Sequence, residues 1–204
     1  PRSLWSYRPQ SDREAGDAVV SNLLLHWFPS KVHKASLAWG YSGWLGTVSG
    51  ALFFLLVLSG LPLMFLYVPS VERAYQSVKD IDVVTFGWWL RAVHRIGAHL
   101  MVVAVVLHLA RVFLTGAYKN GIGQGQRREW NWVIGVVMLL LTLFLSFTGY
   151  LLPWDQLAFW AVTVGTNIAS AVPGVGPAIR ELLIGGRAIE QATLIRFYVL
   201  HIIV

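Results

Sequence analysis

No cysteine occurs anywhere in the 204 residues. That absence excludes disulfides, iron–sulfur ligation and covalent c-type haem attachment within this chain. Charge is also scarce. Asp, Glu, Lys and Arg together make 13% of the residues, against about a quarter in an ordinary soluble domain. Acidic residues are the scarcer sign, 10 against 16 Lys and Arg. No P-loop or catalytic-triad pattern is present, which argues against a soluble enzyme. What is abundant is apolar: 56% of the chain is hydrophobic, with ten Trp and seven Tyr. These suit lipid-facing helices with aromatic belts at the interfaces. The net charge of +6 does not call for nucleic acid, because the basic residues flank apolar runs as membrane-protein loops do.

Residues 1–40 read as an N-terminal surface segment and 41–204 as a transmembrane bundle. The first part mixes Arg2, Arg8, Arg13, Lys31 and Lys34 with Asp12, Glu14 and Asp17, without the early apolar core of a signal peptide. Val19–Phe28 is expected to be an amphipathic helix lying on the membrane, with His26 and His33 as interfacial side chains. From Ala35 to Val71 there is no charged residue, and about 20 apolar residues suffice to span. The first span is placed at Trp44–Tyr67, with Pro62 kinking it late. A polar connection with one short helix follows, Val68–Thr85. The second span runs from Gly87 to Thr115 and the third from Trp130 to Trp154. The long connection Asp155–Gln191 is broken at Pro173–Pro177 and at Gly185-Gly186, and is expected to hold two short helices. A fourth helix begins near Thr193 and is still apolar at Val204, so a truncated span is expected. The fold class is therefore all-α: a transmembrane four-helix bundle. Basic residues cluster before the first span and between the second and third, which places the N-terminus and the Gly116–Glu129 loop on the cytoplasmic, negative side.

His94 and His108 lie 14 residues apart in the second span, on nearly one face and ~21 Å apart along the axis. Ionisable side chains inside a membrane default to function, and neutral imidazole ligates haem iron. Two buried histidines bonded to neighbouring helices would produce the same pattern. Two further features favour cofactors. Arg91 and Arg111 each lie three residues from a histidine, toward water, where guanidinium can meet a haem propionate; both also suit simple interfacial anchors. Gly46 and Gly60 in the first span, and Gly135 and Gly149 in the third, repeat the 14-residue interval. Mid-helix glycine costs about 1 kcal/mol against alanine, and in a membrane it admits a close neighbour, either another helix or here a flat porphyrin. His201 is the remaining histidine in a span and can complete a ligand pair with His94. His108 then has no partner in the chain. His99 lies ~140° round the helix from His94 and reads as a packing residue.

The strings GWWLRAVHRIGAHLMVVAVVLHLARVFLTGAYK (87–119), GYLLPWDQLAFWAV (149–162) and ATLIRFYVLHIIV (192–204) resemble the cytochrome b of quinol-oxidising bc complexes. They are closer still to the short cytochrome b of bf complexes. The resemblance covers about Trp44 to Val204. It implies two non-covalent, bis-histidine b haems: a low-potential one on His94 and His201, and a high-potential one on His108 and a histidine outside these residues. It implies that Gly46, Gly60, Gly135 and Gly149 make room for the porphyrins and that Arg91 and Arg111 meet propionates. Gly149–Trp160, with Tyr150, Pro153, Trp154 and Phe159, would contribute to the quinol-oxidation pocket. Expected partners are a Rieske iron–sulfur protein, a c-type cytochrome subunit, the C-terminal cytochrome b part, quinone, lipid and a second copy of the complex. The expected location is a bacterial inner or thylakoid-like membrane. The bf branch holds a third haem through a cysteine early in the first helix. Trp44 stands there, so that haem is not expected. Asp155 belongs to an ordinary PWDQ string and reads as structural.

Two other functions are weighed against this one. A haem-b anchor wiring another redox partner to the quinone pool lacks the combination of 14-residue interval and PWDQ connection. A channel or transporter with intramembrane histidines predicts no haem and leaves the paired glycines unexplained.

Overall fold

The computed structural model describes residues 10–14, 38–119 and 128–204. The expected surface helix Val19–Phe28, His26, His33 and most of the Gly116–Glu129 loop lie outside them. From Trp39 onward the described residues form eight helices, and no strand occurs among the described residues. They are α1 (Trp39–Ser42), α2 (Leu45–Leu66), α3 (Ala74–Val83), α4 (Gly87–Leu114), α5 (Arg128–Leu151), α6 (Gln156–Ser170), α7 (Gly176–Ile184) and α8 (Gln191–Ile203).

Three helices are long and apolar enough to cross a membrane: Leu45–Leu66, Gly87–Leu114 and Glu129–Leu151. Most of their surface is exposed in the isolated chain, as lipid-facing helices require. At 13 residues, α8 is shorter than the ~20 a full span needs. α2 packs chiefly on α4, α4 on α5, and α5 on α8. Pro62 lies inside a continuous α2.

Helix boundaries follow local chemistry. α3 buries Ala74, Ser77 and Ile81, one stripe at helical spacing, against α4. Gly87 opens α4 because the chain doubles back there: a Cβ on it would lie 1.9 Å from the Ile81 carbonyl oxygen. The third span ends at Leu151, three residues before the Trp154 expected from hydropathy. Pro153 disfavours helical backbone at Leu152, and Trp154 adopts φ 51°. Asp155 then starts α6, its carboxylate accepting from the Ala158 N–H at 2.8 Å. The PWDQ string is thus a stop and a start in four residues. The two short helices expected in the connection are α6 and α7.

The best-packed core joins α5, α6 and α8. Leu151, Ala158, Val162 and Phe197 are its buried centre, with Phe147, Trp154, Leu183 and Ile189 around it. α8 begins with a capping box between Glu190 and Thr193. Gln191 anchors that start to the segment after α2, accepting from Val71 N–H at 2.9 Å and donating to the Pro69 carbonyl at 2.8 Å. Nearby, the Tyr67 hydroxyl donates to the Leu152 carbonyl at 2.6 Å, and its ring stands 5.5 Å from that of Tyr198. These contacts fix α8 beside α5 and bring His201 inward.

Candidate functional site

His94 on α4 and His201 on α8 face one another edge to face, ring centroids 6.2 Å apart and planes at 79°. Both imidazoles are half-buried. Each is met by a hydroxyl. Ser59 Oγ lies 2.9 Å from His94 Nδ1, and Thr148 Oγ1 lies 3.1 Å from His201 Nδ1. His201 Nδ1 also lies 3.1 Å from the Leu145 carbonyl oxygen.

The glycines of the 14-residue interval sit against these rings. A Cβ on Gly60 would lie 3.0 Å from His94 Cε1, and one on Gly149 would lie 2.7 Å from His201 Cε1. One on Gly46 would lie 3.1 Å from His108 Cε1. In three of the four places the close neighbour is an imidazole. Gly135 differs: a Cβ there would meet Leu109 Cδ1 at 3.4 Å, an ordinary contact. His108 is half-buried against Gly46, and its Nδ1 is buried with no hydrogen-bond partner among the described residues.

Arg91 forks onto Asp82 of α3, Nε donating to Oδ1 at 2.7 Å and Nη2 bonding Oδ2. Sequence reasoning assigned Arg91 to a propionate and did not foresee Asp82. Arg111 lies one turn after His108 and is half-buried. His99 is exposed rather than packed inside, its Nδ1 bonded to the Arg95 carbonyl at 2.7 Å. Of the residues expected at a quinone pocket, Trp154 and Phe159 meet edge to face at 6.5 Å. Pro153 lies in the turn between them and α5, and Tyr150 is exposed on α5.

This donor set can be tested against a bis-histidine haem. Imidazole nitrogen binds a transition metal at ~2 Å, and the ring centre lies ~1 Å behind the nitrogen, so two imidazoles on one iron stand about 6 Å apart between centroids. His94 and His201 match that separation. Among the described residues no group of three or more His, Cys, Asp or Glu could hold a bare metal ion. The pair therefore fits a cofactor that brings its own equatorial ligands.

Fold and site together define a helical integral membrane protein whose intramembrane histidines meet across separate helices. The sequence model described as "Cytochrome b/b6/petB" matches residues 29–204. The cytochrome b6 of Tupiella akineta is 44% identical over 158 residues, 77% of this chain and 71% of that protein. That of Bigelowiella natans is 46% identical over 192 residues, 94% of this chain and 83% of the relative. A solved structure titled "Hyperthermophilic respiratory Complex III" superposes with TM-score 0.66 at 25% identity, covering 88% of this chain. The chain spans half the length of that solved relative. The chain belongs to the cytochrome b/b6/petB family. Membership makes it a membrane electron-transfer subunit and implies haem b as its cofactor.

Proposed function

We propose that this chain carries electrons across the membrane between two b haems, as the cytochrome b subunit of a quinol-oxidising complex. The observation that carries this reading is the His94–His201 pair at bis-histidine separation. Haem, when bound, supplies one-electron redox chemistry. The residues supply the rest. His94 and His201 present Nε2 from opposite sides of one site. Gly60 and Gly149 give those imidazoles room. His108, ~21 Å along α4 from His94, serves a second site, with Gly46 admitting its ring and Gly135 leaving space opposite. Its partner imidazole is supplied from outside these residues. Arg111 meets a propionate at that level. Arg91, oriented by Asp82, does so at the other.

The turn after α5, with Tyr150, Pro153, Trp154 and Phe159, lines part of the quinol-oxidation pocket. Its rigid bends and exposed aromatic faces suit a flat apolar ring. The N-terminus and the 116–129 loop face the negative side. Of the two electrons released by quinol, one goes to a Rieske protein and on to a c-type cytochrome, the other enters the His94–His201 site, and the complex is a dimer. The absence of cysteine, with Trp44 at the early first-helix position, supports two haems rather than three.

The test is a redox-titrated optical spectrum of the intact membrane complex, with haem counted per copy of this chain. Two b haems with separate potentials are expected. A single haem would reduce His108 to a structural role and favour the anchor reading, and none would refute haem ligation altogether.

A further inference from the structure

Gly60 and Gly149, which touch His94 and His201, are each preceded by a hydroxyl residue, Ser59 and Thr148. Each hydroxyl meets Nδ1 of the same imidazole that its glycine admits. The glycine brings the helix close and the neighbouring side chain reaches the ring's far nitrogen. The glycine against His108 is preceded by Leu45 instead, and His108 Nδ1 has no partner among the described residues. The same interval thus carries two kinds of ligand site, one clamped and one not.

Proton counting fixes the direction of the clamp. A carbonyl oxygen only accepts, so the Leu145 contact requires His201 Nδ1 to carry a hydrogen. Thr148 Oγ1 gives its own hydrogen to the Leu145 carbonyl at 2.9 Å, and so accepts from His201. Where His94 binds iron through Nε2, its Nδ1 carries the hydrogen, and Ser59 Oγ, giving its own to the Leu55 carbonyl at 2.7 Å, accepts it. Ser59 and Thr148 are 4% and 0% exposed, so water does not compete for these bonds. Both imidazoles are thereby held as the Nδ1–H tautomer, which leaves the Nε2 lone pair free to bind.

Resting on the reading that His94 and His201 hold one haem, we propose that Ser59 and Thr148 are positioning residues that set the potential of that haem. Donating Nδ1–H to an oxygen makes Nε2 more basic and fixes the ring's rotation. A more basic axial pair stabilises ferric over ferrous iron, and so lowers the potential. His108 lacks this support among the described residues.

The experiment is a potentiometric titration, with haem counting, of the intact complex carrying Ser59→Ala or Thr148→Val. Each is expected to shift the same one haem to a more positive potential, leaving the other unmoved. Ser59→Thr and Thr148→Ser are expected to restore the wild-type value. Loss of that one haem with no potential shift in either variant would show a packing role only and would also overturn the proposal. An unmoved potential, equal movement of both haems, or a change that the conservative variants fail to reverse would overturn the proposal. Wild-type complex without a pair of b haems would overturn the functional reading itself, and is seen before any variant is made.

Discussion

A Cβ placed on Gly149 would lie 2.7 Å from Cε1 of His201, closer than side chains pack, and the ring it meets is held in place by Thr148 and Leu145. At Gly60 the corresponding distance to His94 is 3.0 Å. Alanine gains about 1 kcal/mol of helix propensity at either position, while overpacking costs about 1–3 kcal/mol. Gly149→Ala is therefore expected to displace His201 and deplete the haem it holds. Gly60→Ala should do so more weakly. Haem content per chain in purified complex ranks the two, and the reverse order would contradict the packing described.

The ligand assignment is tested by removing one imidazole at a time. His94→Leu and His201→Leu are each expected to abolish the same haem signal, and His108→Leu the other. Retention of both signals in His201→Leu would refute the pairing.

Gly135 makes a separable prediction. Its neighbour Leu109 stands at ordinary contact distance, so packing within the chain does not demand glycine there. Gly135→Ala should leave the haem-free helix equally or more stable, by up to about 1 kcal/mol. It should weaken only the haem on the His108 side, because the porphyrin then meets the added methyl. Thermal unfolding of haem-depleted protein and haem content of the complex read the two effects apart.

Asp155 is expected to matter to stability and not to redox chemistry. Its carboxylate caps α6 through Ala158 N–H, so Asp155→Ala should cost about 1 kcal/mol while Asp155→Asn costs little. Haem spectra of both should match the wild type. A shifted potential in the asparagine variant would show a role beyond capping.

The uncharged runs made the three long helices legible, the 14-residue interval singled out His94 and His108, and His201 stood out as the histidine left in a span. Two features escaped. The end of α5 was set three residues late, because Leu152 and Trp154 are as apolar as the helix, and hydropathy does not register the backbone restriction that Pro153 imposes. The partners of the site were missed for a different reason. Asp82 lies in α3, a helix expected only as a short piece of a polar connection, and meets Arg91 because α3 folds back over Gly87. Ser59 and Thr148 are small hydroxyls in apolar helices, where most such side chains bond to their own carbonyls. Only the docking of α2 on α4 and of α5 on α8 turns them to imidazoles. A signal was present: both immediately precede a glycine of the 14-residue interval.

The anchoring of α8 by Gln191 gives the site a schedule. Gly60 and His94 leave the ribosome long before Thr148, Gln191 and His201. At the ~5–20 residues per second of synthesis, the roughly hundred intervening residues take about 5–20 s. Through that interval the growing chain holds one imidazole of the pair and the serine that meets it in the finished fold, while the second imidazole has yet to be made. The glutamine fork onto Pro69 and Val71 acts as a latch, and once it closes the second imidazole is delivered to its place opposite the first. Weakening it, as in Gln191→Ala, would act on assembly before it acted on the finished cofactor site.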